Sequence, residues 1–234
     1  MSSDADLAAD PGPLEDPAYG PGVVDVGGLT IAYDSRVLEP RPWTAMQSRW
    51  AAELLADIDT EQPDEPGEPG PPLLELCSGA GHIGLLAATL ADCRWVAVDL
   101  DPTACGYTTR NAETAGVGDR VEVRQGRLEE SLGDDERFAV VVADPPWVRH
   151  ESIGEFPEDP VLAIDGGDDG LHVARAVLRA CAGHLRPDGS LLLQLGHTGQ
   201  VDQLAADLTT RGWTVEETRT RERGVVVRLT QLSE

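Results

Sequence analysis

From Leu73 onward the chain alternates short apolar, β-branched runs with longer amphipathic stretches, an order that few folds accommodate. LLELC (73–77), WVAVDL (95–100), VEVRQG (121–126), FAVVVADPP (138–146) and SLLLQLG (190–196) read as strands. IGLLAATLA, PTACGYTTRNAETAG, GLHVARAVLRACAGHL and VDQLAADLTTRG between them carry helical spacing. Strands that are apolar along their length and separated by helices imply a parallel sheet covered on both faces. WTVEETRT and VVVRLTQL around RERG add an antiparallel hairpin at or near the edge. The expectation for residues 73–234 is therefore an α/β, Rossmann-like, seven-stranded and mostly parallel sheet closed by that C-terminal hairpin.

The first third reads differently. Residues 1–22 are rich in Asp, Pro, Gly and Ala and predict a disordered acidic tail. VVDVGGLTIAY places two alternating runs around Gly27-Gly28, a hairpin signal. RPWTAMQSRWAAELLADI follows as a helix, so that 23–58 predicts a hairpin and helix packed on the larger domain. Residues 59–72, rich in Pro and Glu, predict a flexible surface insertion.

Charge and cysteine content narrow the function. The net charge is −24, and all 18 basic residues are arginines. So acidic a surface repels phosphate backbones at long range, which makes nucleic acid the less expected partner. No apolar run is long enough to cross a membrane and the acidic N-terminus lacks a signal-peptide core, so a cytoplasmic protein is expected. The four cysteines form no Cys-x-x-Cys pair and no zinc-type cluster, and no metal is expected.

Two strand ends carry a cofactor pattern. Glu75-Leu76-Cys77-Ser78-Gly79-Ala80-Gly81 joins the first strand of the repeat to its helix, and glycines there let backbone approach a ligand closely. The second strand ends in Asp99-Leu100, where a carboxylate can accept hydrogen bonds from two ribose hydroxyls, or merely cap the next helix. A third junction, Gly126-Arg127-Leu128, ends the third strand. The fourth strand ends in Asp144-Pro145-Pro146-Trp147. Consecutive prolines hold a turn rigid outside the carboxyl end of a parallel strand, where open α/β sheets bind ligands. There the Asp144 side chain and the Pro145 carbonyl can accept both hydrogens of one –NH2 group and aim its lone pair. Trp147 can stack on a planar acceptor and stabilise cationic character.

These residues carry a resemblance. The 75–81 turn is similar to motif I of S-adenosylmethionine enzymes, usually E/D-x-G-x-G-x-G, with Cys77 in place of the first glycine. Asp144-Pro145-Pro146-Trp147 matches the D/N-P-P-Y/F/W signature of N-methyltransferases that act on adenine, guanine or glutamine nitrogens. Val37-Leu38-Glu39-Pro40-Arg41-Pro42-Trp43-Thr44 and Leu162-Ala163-Ile164-Asp165-Gly166-Gly167-Asp168-Asp169-Gly170-Leu171 resemble two elements of the HemK/PrmC family of protein-glutamine N5-methyltransferases. The resemblance implies a class I methyltransferase with S-adenosyl-L-methionine as cofactor. It would be held by Thr44, Glu75, Cys77, Gly79, Gly81, Asp99, Leu100, Gly126, Arg127, Leu128 and Asp144. Thr44 would lie over the methionine end, the 126–128 loop at adenine, and residues 148–169 near the acceptor. Catalysis would rest on Asp144, Pro145, Pro146 and Trp147.

The acceptor it implies is an amide or amino nitrogen of a protein or small molecule. Members that methylate release factors carry an N-terminal helical domain with no counterpart here, which points away from a release factor. The family usually has Asn where Asp144 stands, and the carboxylate leans toward a more basic amine or a nucleobase. Three other classes stay open: a nucleic-acid amino methyltransferase, a non-catalytic partner subunit of the same fold, and a nicotinamide oxidoreductase.

Overall fold

The computed structural model describes residues 14, 16–57, 72–221 and 224–231. The expected insertion at 59–72 lies outside the described residues except for Pro72, as does most of the expected tail. The end of that tail is organised. Asp16 caps a 3-10 turn at Pro17–Tyr19, and the Leu14 side chain lies against Gly106. Tyr19 supplies a ring 4.2 Å from the Arg36 guanidinium. The reading of 1–22 as uniformly disordered therefore needs correcting at its end, because composition does not register a single aromatic platform.

β1 (Gly22–Val26) and β2 (Leu29–Tyr33) pair antiparallel, with Val26 opposite Leu29 across Gly27-Gly28. Both glycines have positive φ, the conformation a two-residue turn needs to match strand twist. A 3-10 turn at Pro42–Thr44 then leads into α1 (Ala45–Ala56).

The repeat follows in order: β3 (Leu73–Leu76), α2 (His82–Ala91), β4 (Trp95–Asp99), α3 (Pro102–Thr114), β5 (Val121–Gln125) and β6 (Phe138–Ala143). A one-turn helix α4 (Val161–Ile164), then α5 (His172–Cys181), β7 (Leu185–Leu195), α6 (Thr198–Thr210), β8 (Trp213–Thr220) and β9 (Val225–Gln231) complete it. The seven-stranded sheet runs β5-β4-β3-β6-β7-β9-β8, parallel as far as β7. β9 inserts antiparallel between β7 and β8, so the terminal hairpin contributes both the edge strand and its neighbour.

Two cores sandwich the sheet. Leu73, Val140, Val142 and Leu192 face α1, α2 and α3, where Trp50, Leu85 and Tyr107 are buried. Leu74, Leu76, Val141, Leu191 and Leu193 face α5 and α6. The chain leaves β3 toward β4 on one side and resumes at β6 on the other. That reversal opens a crevice at the strands' carboxyl ends.

Buried amides fasten the N-terminal unit over the crevice. Asn111 on α3 accepts from Ala32 N–H (2.9 Å) and donates to Ala32 C=O (3.0 Å) and Ala80 C=O (2.9 Å). Gln47 on α1 donates to the carbonyls of Ala143, the last residue of β6, and of Leu192 within β7. Replacing Asn111 by Ala strands three backbone groups. It should destabilise the chain by about 3 kcal/mol at roughly 1 kcal/mol per net hydrogen bond. Urea denaturation reads the loss, and a change under 1 kcal/mol would show that the hairpin is held by apolar packing alone.

Candidate active site

The carboxyl ends of β3, β4, β5 and β6 open on a cavity of about 470 Å³. Its walls take Cys77, Gly79, Asp99, Leu100, Gly126, Arg127, Leu128, Asp144 and Pro146, and Thr44 reaches in from above α2. Most residues expected from the sequence thus converge. Four do not line the cavity: Glu75, Gly81, Pro145 and Trp147.

Glu75 shares the sheet face of Leu73 and points beneath the turn toward α2. Its Oε1 accepts the Gly84 N–H at 3.0 Å, while Oε2 is buried without a hydrogen-bond partner among the described residues. Gly84 must be glycine, since an added Cβ would sit 2.5 Å from Glu75 Oε2. Glu75 is therefore a buried support for the turn, not a residue of the cavity wall. Gly81, with φ +77°, sets the entry into α2, and an added Cβ would sit 2.8 Å from Thr108 Cγ2.

Cys77 occupies the left-handed region at φ +59°, which explains why a glycine commonly fills this position. Burial holds its thiol well above the ordinary range, so it is not a nucleophile at neutral pH. Gly79 is the open floor of the site. Its φ is +55° and an added Cβ would meet nothing within 4 Å, so the turn presents bare backbone to the cavity.

Asp99 ends β4 and is preorganised by the chain. Its carboxylate accepts the N–H groups of Gly79 (2.8 Å) and Asp101 (2.9 Å). The helix-capping role falls instead to Asp101, which accepts the Thr103 N–H. Burial lifts Asp99 to about 6 despite those donors.

Asp144 ends β6. Burial raises it to about 7, and the Gln194 side chain, its hydrogen-bond partner, pulls the other way. Gln194 is a polar residue inside the apolar strand β7, a signal the sequence offered and the reading missed. Trp147 departs from the expected pose. An added Cβ on Gly196 would sit 2.5 Å from its ring, so the indole lies on the end of β7. The stacking expected of Trp147 therefore has no counterpart on the cavity wall. Its carbonyl is held by Gln200, which also bonds Gly170 C=O and Gly196 N–H.

The 148–169 loop does cover the site. Val148 bridges Asp165, Gly166 N–H donates to Val148 C=O, and Pro160, Leu162 and Ala163 line the cavity. Arg41 pins this cover through Asp159 at 2.9 Å. Groups that could ligate a metal do not cluster among the described residues.

Glu75, pushed up to about 8 by burial and by Asp99 and Asp144, carries a pH signature. An unfolded Glu titrates near 4.3, so the folded state prefers the protonated form. That contribution is full below about 4.3, is lost as pH rises toward about 8, and is flat beyond. Glu75→Gln should gain stability relative to the unsubstituted chain between pH 5.5 and 8.5. Parallel stability curves from urea titrations across that range would refute the buried neutral carboxyl.

Known proteins share this architecture. Residues 73–156 match the family model described as a methyltransferase domain. The "Ribosomal protein uL3 glutamine methyltransferase" of Bordetella pertussis is 38% identical over 187 residues, 77% of this chain and 59% of that protein. The "Release factor glutamine methyltransferase" of Deinococcus radiodurans is 33% identical over 200 residues, 83% of this chain and 66% of that protein. The chain thus spans less than two thirds of the length of these relatives. Among solved structures, a ribosomal protein L11 methylase from Lactobacillus delbrueckii subsp. bulgaricus aligns with TM-score 0.61 at 13% identity, covering 89% of this chain and 98% of that one. The human methyltransferase 10 domain containing protein aligns with TM-score 0.63 at 18% identity, covering 88% and 90%.

Proposed function

We propose that this chain, which carries a methyltransferase domain over residues 73–156 and is similar to glutamine methyltransferases, is a class I S-adenosylmethionine-dependent enzyme of the HemK/PrmC kind that methylates the side-chain amide nitrogen of a glutamine in a protein. The observation that carries the reading is Asp144 at the cavity wall, where β6 ends, buried to a pKa of about 7.

The cavity fits the cofactor. Bare backbone at Gly79 leaves room for a ligand, and Asp99 beside it keeps acceptor lone pairs for ribose hydroxyls. Leu100, Leu128 and Ala104 offer apolar contact to a purine, with backbone groups at Arg127 and Leu128 available for its polar edge. When bound, the cofactor supplies an electrophilic methyl on a sulfonium, so positioning is most of what the protein adds.

An amide nitrogen is a weak nucleophile because its lone pair is delocalised. Asp144 answers this by accepting an N–H of the amide and stabilising the positive charge that develops at the nitrogen; the Pro145 carbonyl expected to take the second N–H does not line the cavity. Near neutral pH Asp144 can also carry a proton, as the amide of Asn does, or receive the one released on methylation. The carboxylate in place of the family's usual Asn is thereby compatible with a neutral amide. The relatives' names give a release factor or a ribosomal protein as the acceptor for those proteins, and either would present a glutamine side chain of the kind proposed here.

Labelled methyl donor incubated with the chain, ribosomal proteins and release factors should place label in N5-methylglutamine. Label in a nucleobase amino group would overturn the acceptor. Asp144→Ala should lower kcat by about 10²- to 10³-fold, the usual loss for one oriented electrostatic partner, with cofactor affinity within a few-fold. Asp144→Asn should keep part of the activity and lose the acid limb near pH 7 that the carboxyl gives kcat/KM. An unchanged pH profile would remove the role.

Binding of a cation beside Asp99 and Asp144 should expel protons from both, since each is lifted toward neutrality by burial. Cofactor affinity should therefore rise from pH 6 to 8. Calorimetric heats in buffers of different ionisation enthalpy should report proton release at pH 6.5, and zero release would exclude the linkage.

A further inference from the structure

His82 opens α2 immediately after the glycine turn and lines the cavity, yet no motif assigns it a task. Its Nε2 lies 2.9 Å from Thr44 Oγ1. The Thr44 hydroxyl also lies 2.7 Å from the carbonyl of Arg41 and is only 1% exposed as a residue. A hydroxyl has one proton and two lone pairs. The Arg41 carbonyl can only accept, so the Thr44 proton goes there, and His82 must be the donor in its own contact. That count assigns the Nε2–H tautomer.

The opposite tautomer fails on the same count. It would take the Thr44 proton from Arg41 and leave an N–H on Nδ1, which is buried without a partner among the described residues. Burial also lowers the imidazole to about 4, so His82 stays neutral at physiological pH. The chain Arg41 C=O, Thr44 hydroxyl, His82 N–H leaves Thr44 with one acceptor lone pair and no proton to give. Such a group recognises an N–H donor and rejects a carboxylate.

We propose that His82 is a positioning residue that fixes the Thr44 hydroxyl as an acceptor for the α-ammonium of the cofactor's amino acid end. The inference rests on the proposed cofactor occupying this cavity with its amino acid end toward Thr44, as the family resemblance implies. It adds which polar group of that end meets Thr44, and through which side chain the choice is enforced.

Calorimetry on the full chain tests it with three ligands: S-adenosylhomocysteine, its deaminated analogue, and 5′-methylthioadenosine, which lacks the amino acid. His82→Ala should weaken S-adenosylhomocysteine about tenfold, in keeping with one lost oriented hydrogen bond. The other two ligands should change by less than twofold. Thr44→Val should do the same, and the double variant should be no worse than either single one. His82→Gln, whose amide can donate to Thr44, should recover most of the affinity. Equal losses for all three ligands, or additive single losses, would overturn the proposal.

A second measurement does not depend on any variant folding. Long-range 1H–15N spectra of the unliganded chain should show His82 as the Nε2–H tautomer, still neutral at pH 5.5. An Nδ1–H tautomer or an imidazolium signal would overturn it. If the unsubstituted chain bound 5′-methylthioadenosine and S-adenosylhomocysteine not at all, the cofactor reading would fall along with this one.

Discussion

Three carboxyl groups are buried where neighbouring parallel strands end: Asp99 on β4, Glu75 within β3 and Asp144 after β6. Burial disfavours their charge, and their proximity compounds the effect, since Asp99 and Asp144 both push Glu75 upward. A fold would ordinarily pair such groups with arginine or lysine. Here Glu75 and Asp99 are held by backbone N–H groups, and Asp144 by the side-chain amide of Gln194. Amide donors hold a carboxylate in place without cancelling its charge. Burial of these groups is therefore relieved either by protonation, as at Glu75, or by a cation bound beside them.

The N-terminal unit is part of this arrangement. Asn111 fastens the hairpin to α3, Gln47 fastens α1 to the last residue of β6 and to β7, and Arg41 fastens the 148–169 segment through Asp159. Ala80 and Arg41 line the cavity and Ala143 adjoins Asp144, so several of these ties end on or beside its wall. Thr44 illustrates the result. It belongs to the short 3-10 turn before α1, yet its hydroxyl lies 2.9 Å from His82 Nε2 on α2.

The layered sheet was legible because its signal is periodic. Apolar strands between amphipathic helices specify a covered parallel sheet, and glycine or aspartate at four strand ends marks the crevice. Glu75 was misplaced for a reason the same periodicity contains. It shares a face with Leu73, and that face packs on α2, so its side chain turns under the cavity instead of into it. Trp147 is a different case. Two prolines fix where the turn goes, but the side the indole takes is decided by Gly196, which lies 49 positions later, just past β7. No local pattern joins those two positions. Gln194 and His82 lay between these extremes: each breaks a local pattern, a polar residue in an apolar strand and an imidazole after a glycine turn. Their partners are distant in sequence, and only the fold brings them together.

The site's chemistry follows from what Asp144 can be at neutral pH. A carboxyl held fully ionised would favour acceptors that are themselves cationic donors, while a neutral amide side chain could never take up a proton. Burial places Asp144 between these cases, with Gln194 limiting how far its pKa rises. Under the proposed function, one state would accept the acceptor's N–H and the other would hold the proton that the methylated nitrogen must lose. The proton need not reach solvent through the covered loop. On the proposed function the residue that orients the amide would also close the proton balance of the transfer, and desolvation is what would make both roles available to one carboxyl.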